Sequence, residues 1–273
     1  MTLTKPIERE LPAVILAAGR GQRLQRDSQE FPKPLTPLLG KTLLERAVLA
    51  CQRAGATKCY IVVGYDKERI VSQIETLARR LPIPLQAIVN SDWEAGNGTS
   101  AYAAKPYVEG SFFLIMCDHV FDPALLRALI EVGCAGQSCL LAVDHRTNDI
   151  FDLDDATKVQ LDGQSIVSIG KQLNAFNAID TGLFLCRPDL FKALRQAREL
   201  GDASLSGGMR QLIHAGQLRG VDIGDGFWID VDTPESLAYA EGELLNRVAA
   251  SKLDSGCRAP DNDSSGPTRC SGE

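Results

Sequence analysis

The feature that most constrains the fold is a short apolar run at residues 13–16 that ends abruptly in the sequence Ala-Ala-Gly-Arg-Gly. The run is long enough for a buried strand. The small residues after it let backbone N–H groups come close to a ligand, and glycine allows backbone angles that other residues avoid. The pattern therefore predicts a strand with a ligand-binding loop at its carboxyl end.

Three cations surround this predicted loop, namely Arg20, Arg23 and Lys33. A loop of bare amides ringed by fixed positive charge suits a polyphosphate. It is not a Walker A loop, since no Gly-Lys-Ser/Thr closes it, and it lacks the third glycine of the dinucleotide fingerprint. For the glycines alone, a tight turn with surface arginines is the alternative interpretation.

The loop, Arg23 and the Pro-Lys-Pro-Leu sequence at residues 32–35 together resemble the signature of nucleotidyltransferases that join an NTP to a sugar phosphate or an alcohol phosphate. A second tract at residues 90–100 follows a predicted strand and opens a helix at Ser100. In the family, a Gly/Asn segment at this place contacts the base, although an ordinary Gly-Asn loop is the alternative. The nucleotide-binding residues implied by this resemblance are Leu16, Ala17, Ala18, Gly19, Arg20, Gly21, Lys33, Asn90, Gly96, Asn97, Gly98, Thr99, Ser100 and Asp118.

Three aspartates are candidates for holding Mg²⁺. Asp118 ends a buried strand, in the crevice where open α/β sheets bind ligands. Asp230 and Asp232 are two residues apart, so on a strand both would face one cation. Mg²⁺ prefers one or two carboxylates together with phosphate oxygens and water. Asp118 suits that role. The resemblance implies that the second metal-binding carboxylate lies in the tract with Asp230 and Asp232, and the sequence does not choose between these two; a solvated turn residue is the alternative for Asp232.

Four further tracts narrow the resemblance to the cytidylyltransferases that use CTP and inositol 1-phosphate, over roughly residues 13–245. The tracts are residues 116–120, 155–159, 170–182 and 228–235. The resemblance implies that Lys171 bridges the acceptor phosphate and the α-phosphate, and that Asp180 accepts hydrogen bonds from acceptor hydroxyls. A packing role is the alternative for His119. The implied acceptor-binding residues are His119, Lys171, Asn177, Asp180 and Thr181, and the implied catalytic residues are Arg23, Lys33 and Lys171.

The expected reaction gives CDP-inositol and pyrophosphate with Mg²⁺ as cofactor and without a covalent enzyme intermediate. One alternative is another acceptor, such as a hexose 1-phosphate or phosphocholine. The other is a non-catalytic relative that only binds nucleotide. Some proteins of this kind are fused to a membrane-embedded synthase that uses CDP-inositol, and for this chain such a synthase is expected to be a separate polypeptide.

Alternating strand and helix patterns predict an α/β fold. We expect a Rossmann-like, mostly parallel mixed sheet with helices on both faces, as in nucleotide-diphospho-sugar transferases. The Asp162-Gly163 turn predicts a small β-hairpin inserted on the acceptor side. Residues 1–250 are predicted to form one nucleotidyltransferase domain, and residues 251–273, poor in large apolar side chains, a disordered tail.

Composition limits the partners and the location. A net charge of −6 argues against broad nucleic-acid binding. The eight cysteines include no Cys-x-x-Cys pair and most lie in apolar runs, which indicates free thiols in a reducing, cytoplasmic location. The charged first ten residues do not resemble a signal peptide, and no apolar run is long enough to span a membrane.

Overall fold

The computed structural model describes residues 11–24, 31–133, 138–148 and 150–256. Thirteen strands occur in these ranges: β1 Ala13–Ala17, β2 Pro37–Leu38, β3 Lys41–Thr42, β4 Cys59–Val63, β5 Leu85–Val89, β6 Phe112–Met116, β7 His119–Phe121, β8 Cys139–Asp144, β9 Lys158–Asp162, β10 Ser165–Gly170, β11 Ala178–Cys186, β12 Leu218–Asp222 and β13 Trp228–Asp230. The α-helices described there are α1 Leu43–Ala54, α2 Lys67–Arg80, α3 Asn97–Ala103, α4 Pro123–Val132, α5 Asp189–Glu199, α6 Leu205–His214 and α7 Pro234–Gly256.

Nine strands form one mixed sheet in the order β5-β4-β1-β6-β11-β8-β12-β10-β9. The first four strands of that order are parallel, and β11 runs antiparallel to β6 and β8. The predicted α/β architecture is confirmed. Because parallel strands end at the same edge, the loops after β1, β4, β5 and β6 meet along one side of the sheet.

Both faces of the sheet are covered by helices. Alternate residues of β1 point to opposite faces, so Ala13 and Ile15 join one buried cluster, whereas Val14 and Leu16 join another. The first cluster contains residues of α1, α2 and α4, and the second contains residues of α3, α5 and α6. This burial explains why β1 has no polar alternation.

Strands β9 and β10 form the predicted hairpin. It belongs to the main sheet, because β10 pairs with β12 and β9 also pairs with β11. Asp162 pairs with Ser165, so the turn consists of Gly163, at φ +57°, and Gln164, one residue later than predicted. The positive φ at Gly163 is the reason for its glycine.

Helix α7 packs against a small third cluster that includes Phe227 and Val231, through the partly buried Leu237 and Leu244. The predicted domain boundary at residue 250 falls inside this helix. Residues 257–273 of the predicted tail lie outside the described residues. None of the helices in the described ranges is both long and apolar enough to cross a membrane. Five cysteines lie in these ranges, all buried and none in a disulfide.

Candidate functional site

The loop after β1 packs directly against Lys33, and this contact requires a glycine. Gly21 has φ +64°, and a Cβ there would lie 2.4 Å from the Cβ of Lys33. Lys33 begins a short 3-10 turn, Lys33–Leu35, in which the Leu35 N–H donates to Pro32 O. The loop backbone and the Pro-Lys-Pro-Leu sequence are therefore parts of one site.

The ammonium group of Lys33 lies among three carboxylates, although the residue is only 7% exposed. Its Nζ is 2.5 Å from Asp118 Oδ2 and 3.6 Å from Asp230 Oδ1, and it also donates to Asp232 Oδ1. Burial lowers the pKa of Lys33, but the three carboxylates outweigh burial and raise it above its ordinary value. Lys33 thus stays charged inside the site.

A second ion-pair chain crosses the opening of the site. Arg23 donates to Asp155 Oδ2 at 2.7 Å and, through its other terminal nitrogen, to Asp232 Oδ2. Lys171 Nζ donates to the second oxygen of Asp155 at 2.7 Å. The three residues predicted to be catalytic, Arg23, Lys33 and Lys171, are therefore linked through Asp155 and Asp232. Asp155 was not among the predicted site residues, and its only signal was its place in the tract at residues 155–159.

Asp118, His119 and Asp230 form the one cluster in the described residues that could hold a metal ion, with candidate ligand atoms within 4.8 Å of one another. Strand pairing creates the cluster, because Asp230 pairs with His119 and the Val231 N–H donates to Asp118 O. Asp230 Oδ1 is buried and has no hydrogen-bond partner there. A buried carboxylate oxygen that lacks a hydrogen bond and lies beside a second carboxylate suits a cation such as Mg²⁺.

The charged groups of this cluster shift one another's pKa. Burial and the neighbouring Asp118 raise the pKa of Asp230 to about 7. Burial raises the pKa of Asp118, but Lys33 and His119 outweigh it and hold that pKa well below its usual range. Burial lowers the pKa of His119, but the Asp230 and Asp118 carboxylates outweigh it and raise it to about 9. Within the cluster, therefore, Asp230 is the carboxyl that most needs a further positive charge.

The premise that Asp230 and Asp232 share a strand is wrong, because β13 ends at Asp230. Asp232 instead precedes α7, where its N–H donates to Ser236 Oγ at 3.0 Å. Its two carboxylate oxygens are taken by Lys33 and Arg23. The geometry therefore favours Asp230 as the residue that would share a metal ion with Asp118. Asp232 instead forms ion pairs with Lys33 and Arg23.

Asp180 lies in the same cavity and belongs to β11. Its Oδ1 accepts from the Gly182 N–H at 2.7 Å, and burial raises its pKa to about 6. Gly182 has φ +71°, and a Cβ there would lie 2.5 Å from His119 Nε2. The glycine thus lets β11 pass close to the His119 ring, and both Asp180 and His119 line the cavity.

Two predicted acceptor ligands hold the sheet together instead. Asn177 accepts from the Leu161 N–H at 2.8 Å and donates to Leu161 O at 3.0 Å. Thr181 is fully buried and donates to Ala142 O at 2.8 Å. Neither side chain lines the cavity, so the structure does not support an acceptor contact for Asn177 or Thr181.

The tract at residues 90–100 is also used largely for packing. Asn90 is buried and donates to Thr99 Oγ1 and Ser100 Oγ, each at 3.0 Å. A Cβ at Gly98 would lie 2.6 Å from a neighbouring backbone oxygen, and Gly96, at φ +142°, is similarly close to that backbone. Helix α3 begins at Asn97 rather than at the predicted Ser100. Of the six predicted residues in this tract, only Asn97 and Ser100 line the cavity.

The residues of the loop after β1 do not all line the same cavity. Leu16, Ala18 and Gly19 line the main cavity, which has a volume of about 600 Å³. Ala17, Gly21 and Lys33 line an adjoining cavity of about 330 Å³, which also reaches Asp118 and Asp232. Arg20 lines neither; it is exposed and lies over the Tyr65 ring at 5.5 Å.

One wall of the main cavity carries an ion pair with a buried carboxylate, which the sequence interpretation missed. Asp144, 2% exposed, accepts from Arg146 at 2.9 and 2.8 Å and from Trp228 Nε1 at 2.8 Å. The Trp228 ring stacks on His119 with the ring centres 6.1 Å apart. Asp144 and Trp228 thus orient the imidazole, whose Nδ1 donates to Asp118 Oδ1 at 3.0 Å. Residues 144 and 146 offered no pattern beyond a strand end.

Comparison with known proteins places this geometry in context. The sequence matches the MobA-like NTP transferase domain over residues 13–220. The "Bifunctional IPC transferase and DIPP synthase" of Rubrobacter xylanophilus is 34% identical over 249 residues, which cover 87% of this chain and 53% of that protein. The protein of the same name from Thermococcus kodakarensis is 35% identical over 236 residues, which cover 85% of this chain and 50% of that protein. The chain spans about half the length of these curated relatives.

Solved structures show the same fold. The inositol-1-phosphate CTP transferase from T. maritima is 26% identical, with a TM-score of 0.75 and coverage of 83% of this chain and 91% of that chain. A UDP-glucose pyrophosphorylase complexed with UDP-glucose is 16% identical, with a TM-score of 0.73 and coverage of 87% and 99%. The second likeness concerns the fold alone. The predicted nucleotide-diphospho-sugar transferase fold is confirmed.

Proposed function

The chain belongs to the MobA-like NTP transferase family, and we propose that it transfers the CMP moiety of CTP to inositol 1-phosphate, giving CDP-inositol and pyrophosphate. The printed names of relatives support this choice of substrates, since one similar structure is an inositol-1-phosphate CTP transferase. The observation that carries the proposal is a single cavity that joins the loop after β1, the Asp118–Asp230 cluster and the half-buried Asp180. Such a cavity can hold a nucleotide and a hydroxylated acceptor side by side.

The acceptor needs little chemical activation. A phosphate monoester is largely dianionic at neutral pH because its second pKa is about 6. It can therefore attack the α-phosphorus without a general base, provided that repulsion between the two anions is reduced and the attack is in line. Lys171, on the Asp155 side of the cavity, is suited to hold the acceptor phosphate, and Lys33 and Arg23 to hold the nucleotide phosphates.

Charge balance supports a role for Mg²⁺. Arg23, Lys33, Lys171 and a protonated His119 are matched by the carboxylates of Asp118, Asp155, Asp230 and Asp232. A triphosphate would add several negative charges to a cluster that is already balanced. Asp118 and Asp230 would hold Mg²⁺, which when bound neutralises charge on phosphate oxygens. We propose Mg²⁺ as the cofactor on this ground.

The acceptor end of the cavity is suited to hydroxyl groups. Asp180 Oδ1 already accepts from Gly182, and its carboxyl lies in the cavity without a cation bound to it in the described residues. A buried carboxylate that can accept hydrogen bonds from ring hydroxyls discriminates strongly against acceptors that lack them. This supports a polyol phosphate such as inositol 1-phosphate over phosphocholine. A membrane synthase that consumes CDP-inositol stays a predicted partner.

Pyrophosphate release with each NTP and with inositol 1-phosphate, glucose 1-phosphate and phosphocholine tests the proposal. We expect CTP with inositol 1-phosphate to be preferred at least tenfold in kcat/KM, and mass spectrometry to identify CDP-inositol. Lys171→Ala should lower kcat/KM for every acceptor, with the exposed Lys192→Ala as the control. Asp180→Ala should lower it selectively for hydroxylated acceptors. Preference for a hexose phosphate or phosphocholine would contradict the acceptor, and absence of turnover would favour a non-catalytic relative.

A further inference from the structure

Asp155 lies between two cations that the proposed function assigns to phosphates. Its Oδ2 accepts from Arg23 at 2.7 Å, and its Oδ1 accepts from Lys171 Nζ at 2.7 Å. Burial raises the pKa of Asp155, but the hydrogen bonds from Lys171 and Arg23 outweigh burial and lower that pKa, so the carboxyl is ionised. One carboxylate thus binds both cations where the acceptor phosphate and the nucleotide phosphates would meet.

These two ion pairs are exposed enough to be exchanged for another anion. The side chains of Arg23 and Lys171 are 51% and 50% exposed, and that of Asp155 is 34% exposed. Ion pairs between such groups contribute little to stability, because water screens them. Lys33 differs, since its ammonium group is buried among three carboxylates. The site therefore combines one fixed cation with two whose shared partner a phosphate can replace.

Arg23 keeps a second partner if Asp155 is displaced. Its other terminal nitrogen donates to Asp232, whose side chain is only 18% exposed. For Lys171, Asp155 is the only carboxylate partner within the part of the chain that the structure describes. Displacing Asp155 would therefore release one end of the Arg23 guanidinium and the Lys171 ammonium together, while Asp232 still holds Arg23 in the site.

The backbone around Asp155 is held in place by Lys158 at the start of β9. Lys158 Nζ donates to Leu153 O at 2.8 Å and to Lys171 O at 3.1 Å, so it joins the two loops that carry Asp155 and Lys171. An ammonium group that binds several carbonyl oxygens restrains the backbone on both sides of the ion pair. The Asp155 side chain can rotate away, but its backbone stays near the two cations, so the carboxylate can return.

We propose that Asp155 is an internal anion that competes with phosphate for Arg23 and Lys171. It binds the two cations before the substrates arrive, is displaced by their phosphates, and rebinds as pyrophosphate leaves. The inference rests on the proposed function, which assigns Arg23 and Lys171 to phosphates. Because like charges repel at such distances, Asp155 weakens the binding of every phosphate ligand. Its carboxylate thereby prevents the two cations from retaining pyrophosphate after transfer.

Calorimetric titration with inorganic pyrophosphate, in the presence of a chelator, tests the inference. Asp155→Asn keeps the shape of the side chain and removes its charge, so it should lower the Kd about fivefold or more. Asp155→Ala should change the Kd in the same direction. Asp154→Asn is the matched control, because it removes the same charge from an exposed neighbour that lines neither cavity. Its Kd should stay within about twofold of the wild-type value.

The sign of the change separates competition from a structural role. If Asp155 only positioned the two cations, Asp155→Asn would weaken pyrophosphate binding, and an unchanged or higher Kd overturns the inference. In a Lys171→Ala background the gain from Asp155→Asn should shrink to about twofold or less, because one of the two cations is missing. A full gain in that background would indicate a long-range charge effect and also overturns the inference.

Product inhibition gives a second measurement with substrates present. When CDP-inositol formation is followed by chromatography, Asp155→Asn should be inhibited by about fivefold less pyrophosphate than wild type, in line with its lower Kd. The titration needs no turnover, so it decides the role of Asp155 even if the wild type transfers no CMP. Absence of transfer would contradict the proposed function, whereas a Kd that does not fall contradicts the inference alone.

Discussion

The stability of the Asp230→Asn variant, relative to wild type, should increase as the pH rises. Asp230 has a folded-state pKa of about 7, raised by burial and by Asp118, whereas the unfolded chain titrates near the ordinary aspartate value of about 4. A raised carboxyl pKa means that the folded state holds a proton that the unfolded chain has lost. The contribution of Asp230 to wild-type stability therefore falls as the pH rises between these two values. Asparagine cannot ionise, so the Asp230→Asn variant does not lose this contribution to stability as the pH rises.

The magnitude can be worked from the site. A proton held only by the folded state changes the free energy of unfolding by about 1.4 kcal/mol per pH unit, or ~2.7 kcal/mol between pH 4 and pH 6. The Asp230 side chain is 38% exposed although its Oδ1 is buried, so solvent screens part of this effect. We therefore expect the stability of Asp230→Asn relative to wild type to increase by about 1–2 kcal/mol over this range.

Urea denaturation at pH 4, 5 and 6 in the presence of a chelator measures the difference. Asp225→Asn, at an exposed residue of the loop before β13, is the matched control for the same chemical change. Added Mg²⁺ should stabilise wild type at pH 7 but not Asp230→Asn, because a ligand that binds only the folded state adds to stability. A difference for Asp230→Asn that is constant with pH, or that decreases as the pH rises, would refute the reasoning.

Three further outcomes are expected. Asp118→Asn should lower kcat by about 100-fold, which is the usual effect of losing one preorganised electrostatic group. A pyrophosphate-release assay at saturating Mg²⁺ measures this, and a loss below tenfold would contradict the role of Asp118. Asn177→Ala should lower the free energy of unfolding by about 0.5–1.5 kcal/mol, because two backbone groups of Leu161 exchange an exposed side-chain partner for water, while the acceptor KM stays within twofold. Ending the chain after Gly256 should change the melting temperature by less than about 2 °C, because residues 257–273 hold little apolar area to bury; calorimetry measures this.

The regular elements could be predicted because local periodicity determines them. The alternating strand and helix patterns that predicted an α/β fold correspond to real elements of the structure. Helix α6 escaped prediction because it contains Gly207 and Gly208, which are poor helix formers in isolation. The glycine at residue 208 is needed for tertiary packing, because a Cβ there would lie 2.5 Å from Leu194 Cδ2. Such packing cannot be seen in a local pattern.

The sequence could predict most of the charged residues that form the site, but it could not predict which residues they contact. Arg23 and Asp155 are 132 residues apart and meet only because the sheet brings their loops together. Conversely, Asn177 and Thr181 lie in a tract that resembles acceptor-binding residues, but their side chains bond to the backbone of neighbouring strands. Whether a polar residue beside a site faces the ligand or its own sheet depends on strand pairing, which one sequence does not reveal.

The two aspartates after Trp228 show how two residues of the same type acquire different tasks. Asp230 ends β13 and pairs with His119, so its buried Oδ1 lies next to Asp118 without a hydrogen bond of its own. Asp232 lies past the strand, at the start of α7, where a helix amino terminus favours a carboxylate. There it binds both Lys33 and Arg23. Because Asp232 already binds two cations, an added positive charge would gain most at Asp230. We therefore infer that the end of the strand makes Asp230 the carboxylate suited to a metal ion, whereas Asp232 positions Lys33 and Arg23.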